Sequence, residues 1–488
     1  MLFSSMIFLW VFLPFVIIGN ALFTWLPMPS EQRRMRCKNL FLLVCSLFFY
    51  AWGGISYILI MLGVILLNFL GAFLLSRKKG KSRKALLVLT VILNLFILFF
   101  FKYFNMLVAM VETVMAFRGN LLQRRFLSEL FSLQGTGALQ IAQVVLPIGI
   151  SFFTFQAMSY VVDVYRDTVP PQTNILDFAL YISLFPQLIA GPIVQYSDIA
   201  SALRRRTQTR EDFLYGIKRF CFGMGKKVLI ANTLGNVADQ IWALETGQLG
   251  AALAWLGMIS YTFQIYYDFS GYSDMAIGLG SMLGFHWKEN FDYPYTSLSI
   301  QEFWRRWHIS LSSWFKNYVY IPLGGNRKGQ ARTCRNLMVV FLLTGIWHGA
   351  NFTFLIWGLM YALLLVAERL FFGRLLQKNP IKPLNWAYTM FFVMTGWVFF
   401  RSENLVVAKR YLGQLFSFGS SQYSILSYLS MQVLLALAFA FLGAGFLQRA
   451  GTKISRIYDS FAVQIAVLAA SMLCIIAGTY NPFIYFQF

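Results

Sequence analysis

Long apolar runs alternate with short basic clusters along this chain. The first run, Leu2 to Leu26, is long enough to cross a bilayer, because ~20 helical residues cover the ~30 Å hydrocarbon core. It lacks a basic start and a small-residue cleavage site, so it reads as a retained span. Between Lys38 and Arg77 lie 38 mostly apolar residues broken by Trp52-Gly53-Gly54. That pattern predicts two spans returning to the same side. Further apolar runs cover 85–101, 103–117, 138–162, 176–197, 213–232, 249–285, 337–367, 384–400, 430–447 and 461–487, giving about eleven spans in all.

Several of these runs are poor lipid-facing helices. Pro147, Pro186, Gly191 and Pro192 interrupt them, and Gln156, Asp163, Gln187, Gln264 and Asp268 sit inside them. Taken singly, each polar residue reads as interhelical glue. Taken together they predict a hydrated interior, because broken helices and buried polar groups persist at membrane depth only around a protein-lined cavity. The stretches 118–136 and 198–212 read as loops, and no internal repeat, low-complexity tract or soluble domain stands out.

Composition narrows the class. Of 488 residues 58% are hydrophobic, 18% aromatic and 12% charged, whereas a soluble domain carries roughly 25% charged residues. A soluble enzyme on a single anchor is excluded, and the fold class is an all-α, polytopic integral membrane protein. The net charge of +22 comes from clusters between spans, not from one stripe, so nucleic-acid binding is disfavoured. Arg33, Arg34, Arg36 and Lys38, then Arg77, Lys78, Lys79, Lys81, Arg83 and Lys84, fit cytoplasmic loops under the positive-inside rule. The five cysteines, at 37, 45, 221, 334 and 474, form no paired spacing and imply neither disulfides nor a zinc site.

Zinc-protease, nucleophile-elbow and P-loop motifs are absent. Gly278-x-Gly280-x-x-x-Gly284 has the wrong spacing for a dinucleotide fingerprint and reads as close helix packing. Only three histidines occur. His348, in Thr344-Gly345-Ile346-Trp347-His348-Gly349-Ala350-Asn351, follows Arg335 by thirteen residues, or ~20 Å of helix, which predicts a place near mid-bilayer. An ionisable group there is a functional candidate; the alternative is a neutral ring packed through the Gly345-x-x-x-Gly349 face. His308 lies in the aromatic, basic segment Gln301 to Phe315, which reads as an interfacial amphipathic helix. On spacing alone its tryptophans are belt residues and Arg305 and Arg306 cytoplasmic flanks. From 301 to 335 seven Lys/Arg face the single acid Glu302, and Pro322-Leu323-Gly324-Gly325-Asn326-Arg327 reads equally as a phosphate-receiving loop or a tight turn. His286 looks interfacial and receives no role.

A histidine at membrane depth with a second on a basic segment suggests group transfer across the bilayer. A neutral imidazole takes the proton from a hydroxyl as it attacks an acyl thioester, worth ~10²–10⁴-fold, and no metal is needed. A transporter or flippase is the rival, because broken helices around polar groups also build transport sites. A third alternative is a non-catalytic envelope scaffold, in which both histidines tolerate replacement.

At these residues the sequence resembles the membrane-bound O-acyltransferase family, in its bacterial alginate O-acetyltransferase-like branch. The resemblance is carried by Met1-Leu2-Phe3-Ser4-Ser5, Pro147 to Gln156, Phe185 to Pro192, Tyr266 to Asp274, the 302–327 segment, Trp347-His348-Gly349-Ala350 and Asn481 to Phe486. It implies one domain over 1–488, with re-entrant or interfacial helices around a central funnel in the bacterial cytoplasmic membrane. It further implies that His348 is the catalytic base and His308 the second functional histidine. The co-substrate is then acetyl-CoA or another acyl thioester from the cytoplasm, with no bound cofactor. The acceptor is a polysaccharide hydroxyl outside, reached through an extracytoplasmic partner protein. Arg305, Arg306, Arg327, Trp347 and Asn351 are the candidate substrate contacts, the arginines because guanidinium suits phosphate. Asn317 is a departure, since related sequences usually have Asp there.

Overall fold

In the computed structural model, which describes residues 1–118, 146–189, 191–245, 248–417, 422–446, 459–478, 480 and 482, every regular element is helical. Most of the loop expected at 118–136 and the end of the last apolar run lie outside the described residues. A wide turn at Phe8–Phe12 leads into α1 (Leu13–Trp25). The Ser30 side chain accepts from the Arg33 N–H to start α2 (Glu31–Ala51), which supplies one orphan amide with a partner. α2 ends at the Trp52-Gly53-Gly54 corner. Gly54 has φ +147°, a conformation closed to side chains with a Cβ, and the chain reverses there into α3 (Ile55–Ser76).

This hairpin brings the two basic clusters to one side, as expected. Arg83 pairs with Asp167 at 2.6 Å and Arg206 donates to Asn39 at 2.5 Å, so the segments around 167 and 206 share that side. By the positive-inside rule it is cytoplasmic.

α4 (Gly80–Arg118) is one continuous helix where apolar runs on either side of Lys102 had predicted two spans. Lysine is a good helix former, and Lys102 has an internal partner, so the helix need not break. Its 39 residues measure about 58 Å. The count of eleven separate spans is therefore not reproduced here. Among the described residues four stretches are long and apolar enough to cross a bilayer unaided, Phe8–Trp25, Ile55–Ser76, Gly80–Val108 and Phe352–Leu376.

The polar-interrupted helices pack inside. α5 (Ile150–Tyr165) descends from the far side to the cytoplasmic one. α6 (Arg210–Gly225) and α7 (Ala251–Met282) meet through glycines: a Cβ on Gly278 would come within 2.6 Å of the Gly216 carbonyl. That is the close packing expected of this glycine. Two short helices, α8 (Ile300–Arg306) and α9 (Ile309–Phe315), follow. α10 (Gln330–His348) rises from the cytoplasmic side and α11 (Phe352–Ala367) returns, with Gly345 and Gly358 so close that a Cβ on either would lie 2.5 Å from a backbone carbonyl of the other helix. α12 (Lys382–Arg401) rises again beside them.

Candidate active site

His308 is the joint between α8 and α9. It takes φ +44°, a left-handed conformation uncommon outside glycine and costly enough to need support from its surroundings. The support comes from Asn290. The Asn290 side-chain oxygen accepts from the Ser310 N–H at 3.2 Å and the Ser310 hydroxyl at 2.9 Å, and its amide donates to Ser273 Oγ at 3.1 Å. The orientation of the amide is thereby fixed, because a backbone N–H can only donate. His308 Nδ1 lies 3.2 Å from the same oxygen, so Nδ1 carries the proton and Nε2 presents its lone pair. Nε2 has no partner among the described residues. The ring is 1% exposed and is held edge-on by Phe269 at 4.6 Å between centroids, with Phe152 and Trp347 at 6.4 and 6.5 Å. Replacing Asn290 with alanine is expected to lower kcat by roughly 10- to 100-fold with little change in KM, since a misplaced ring loses the reacting geometry. Steady-state kinetics on a folded Asn290→Ala protein check this, and an unchanged kcat would remove Asn290 from the site.

His348 is the last residue of α10. At 1.5 Å per residue it stands about 27 Å above Gln330 and about 20 Å above Arg335. α10 starts five residues before that arginine and ends at the histidine, where Gly349 turns extended. A Cβ on Gly349 would lie 2.2 Å from the Phe354 ring, so a larger residue there would have to displace that buried ring. The imidazole lies among aromatic rings, with Trp347, Phe400 and Trp357 centroids at 4.9, 5.0 and 5.1 Å. Trp347 contacts both histidine rings, so the sequence-distant pair flanks one indole.

Two cavities approach this wall from opposite sides. One, of about 280 Å³, is lined by His348, Trp347, Lys102, Phe152, Pro147 to Ser151 and the Gly53–Tyr57 corner. It lies on the far side, because the corner is the end of the hairpin remote from the basic clusters. The other, of about 770 Å³, is cytoplasmic and lined by Trp304, Phe341 and Thr344 at its apolar end. Thr344 is one helical turn from His348, and Trp357 touches both Trp304, at 5.5 Å, and His348. Arg305, Lys316, Arg369, Arg374 and Lys382 line the outer part of this larger cavity. Wide helical turns at Lys316–Tyr320 and Glu368–Phe372 supply part of that rim. Glu368 does not neutralise it freely, since its carboxylate accepts from the N–H groups of Ile300 and Gln301 at 2.7 and 3.0 Å.

The remaining sequence candidates separate. Arg305 faces the large cavity. Arg306 does not; it pairs with Glu302 at 3.0 Å and Asp292 at 3.5 Å. Arg327 sits on the exposed turn after Ile321 and lines neither cavity. In that turn the N–H groups of Gly324 and Gly325 bond to the carbonyls of Ile321 and Tyr320, both at 2.9 Å, so it is the tight turn of the two readings and offers those amides to no phosphate. Asn351 caps α11 by accepting from the Thr353 N–H at 3.2 Å and donates to the Glu403 carbonyl. Asn317 accepts through its carbonyl from Arg166, while the carboxylate at that place is Asp163, bonded to Tyr318 at 2.8 Å. His286 is exposed, 3.7 Å from Asp212.

Sequence reasoning missed Asn290 and Lys102. Asn290 carried no signal. Lys102 carried one, being a lone lysine between two apolar runs.

The comparisons with known proteins agree with one another. Residues 165–407 match the model of the membrane-bound O-acyltransferase family. A protein of Pseudomonas putida named probable alginate O-acetylase is 42% identical over the whole of both chains. The peptidoglycan O-acetyltransferase of Helicobacter pylori is 35% identical across 84% of this chain and 79% of its own. The teichoic acid D-alanyltransferase of Bacillus subtilis is 28% identical across 51% and 65%.

Proposed function

The chain belongs to the membrane-bound O-acyltransferase family, in its alginate O-acetylase-like branch, and from that premise we propose how this integral-membrane O-acyltransferase divides its reaction between two faces. The acyl donor is a cytoplasmic thioester, acetyl-CoA or a carrier-bound acetyl group, and it enters the large basic cavity with its phosphates at the rim. The acceptor is a hydroxyl of an exported or envelope polysaccharide, or of an extracytoplasmic partner protein that passes the group on. It reaches the small cavity on the far side. The observation that carries this reading is the pair of cavities converging on the Thr344–His348 turn, one cationic and cytoplasmic, the other containing the imidazole. The relatives support the acceptor class, being named for alginate, peptidoglycan and teichoic acid.

In this mechanism His348 takes the proton of the acceptor hydroxyl as its oxygen bonds to the acyl carbon. The C–S bond then breaks and the proton passes to the departing thiolate. His308, with its Nε2 lone pair unpartnered, orients the reacting groups behind Phe152 and Trp347. Transporter and scaffold readings fall with family membership.

The test is thiol release from acetyl-CoA by the protein in nanodiscs, with a deacetylated polysaccharide and the extracytoplasmic partner supplied. Removing cations from the rim (Arg305→Ala with Arg374→Ala) should raise the donor KM about tenfold or more and flatten its salt dependence, with kcat moving less, because these groups bind a polyanion and touch no reacting atom. An unchanged donor KM would sink the assignment of this cavity to the donor.

A further inference from the structure

Lys102 stands 22 residues above the start of α4, and its side chain turns into the small cavity beside His348. Its amino group donates to the carbonyl of Trp347 and lies 5.6 Å from the centroid of the Trp347 ring. His348 lines the same cavity. No other lysine or arginine, and no carboxylate, is among the described residues lining this cavity. Capping the end of α10 does not account for a lysine here. The neighbouring carbonyl, that of Ile346, is capped by the Tyr103 hydroxyl, a neutral donor that is far cheaper to bury than an ionisable one. A protonated lysine has three N–H groups. One on Trp347 leaves others for the space in front of the imidazole.

We propose that Lys102 is a catalytic residue, the hydrogen-bond donor for the oxyanion that forms on the acyl carbonyl during transfer. The proposal rests on the reading of His348 as the base. When the hydroxyl oxygen bonds to the acyl carbon, the C=O electron pair moves onto oxygen. It returns as the C–S bond breaks, and the thiolate leaves with the proton His348 had accepted. A preorganised donor at that oxygen stabilises the transition state far more than the ground state, and removing one such donor costs about 10²–10³-fold in kcat. The lysine is placed for this because it comes from α4 while the base comes from α10, and both line the one small cavity.

The experiment compares wild type, Lys102→Met, Lys102→Arg and Tyr103→Phe in nanodiscs, each with acetyl-CoA, deacetylated polysaccharide and partner protein, recording kcat, both KM values and the melting curve. The expected result is a 10²- to 10³-fold lower kcat for Lys102→Met, with donor and acceptor KM within about threefold of wild type. Lys102→Arg should recover part of that loss, and Tyr103→Phe should retain wild-type kcat. Wild-type kcat in Lys102→Met overturns the proposal. A rise confined to acceptor KM also overturns it and makes the amino group an anchor for an anionic acceptor. A kcat loss in Tyr103→Phe equal to that of Lys102→Met reduces both residues to helix capping. If Lys102→Met does not fold, Lys102→Gln, a shorter neutral donor, must still lose at least tenfold. His348→Ala run alongside separates the two readings: if it is dead while Lys102→Met is fully active, the base stands and only the oxyanion role falls.

Discussion

Replacement of His348 by alanine is expected to lower acyl transfer by ~10²–10⁴-fold, the contribution of a positioned general base, while the protein remains folded. The second half of that expectation comes from the packing. The imidazole makes ring contacts with Trp347, Trp357 and Phe400 but opens on a cavity, so its removal enlarges a space already present and does not hollow out a sealed core. Close approach of α10 and α11 depends on Gly345 and Gly358, which the substitution leaves untouched. His348→Gln is the sharper variant. It keeps most of the volume and a hydrogen-bonding group but accepts no proton at neutral pH, so it should be nearly as inactive as alanine. Thiol release from acetyl-CoA, with melting curves on the same samples, measures both halves. Turnover near wild type in either variant would remove the general-base role, and equal losses of activity and melting temperature would make the ring structural.

Where a residue's partner is its chain neighbour or a rule of charge, the sequence was legible. The α2–α3 reversal follows from Trp52-Gly53-Gly54, and the shared side of the two basic clusters follows from counting spans. The packing role of Gly278 follows from its apolar surroundings. His348 stands out in the sequence as one of three histidines, and its ring lines the small cavity; the family resemblance singles out His308, whose ring is buried beside Trp347. Failures occur where a side chain answers to a partner far along the chain. Lys102 meets the carbonyl of Trp347, 245 residues away, and no periodicity announces that. Arg306 looked like a free cation because Glu302 and Asp292 were not known to close on it. The glycines at 324 and 325 suited a phosphate cradle until their N–H groups proved bonded to their own turn. Asn290 is the plainest case. An asparagine in a polar loop is unremarkable in sequence, yet its side-chain oxygen determines which nitrogen of His308 is left bare.

The largest expected effect on stability lies away from both cavities, at Lys227 and Asp268. Their side chains are 2.6 Å apart and each is 3% exposed. Lys227 belongs to the wide helical turn Lys226–Ala231 that continues α6, and it donates further to the Pro482 carbonyl. Asp268 was visible in the sequence as a carboxylate inside an apolar run; its partner, close behind other basic residues, was not. Removing one member of such a pair takes the counterion from the other buried charge, which costs up to about 3–5 kcal/mol, whereas replacing both members with apolar groups of similar size is often nearly neutral. Lys227→Met alone should therefore destabilise the protein by that amount, and Lys227→Met with Asp268→Leu should regain most of it. Denaturation in detergent followed by intrinsic fluorescence reads the difference. Activity should fall with stability in the single variant for a local reason. Asp268 precedes Phe269, whose ring holds His308 edge-on, so a carboxylate driven to find water would drag that part of α7 off the histidine. A single variant as stable as wild type would mean that water reaches the pair. A double variant that is stable but inactive would mean that the ion pair is needed to set the position of His308 and not only to hold α6 against α7.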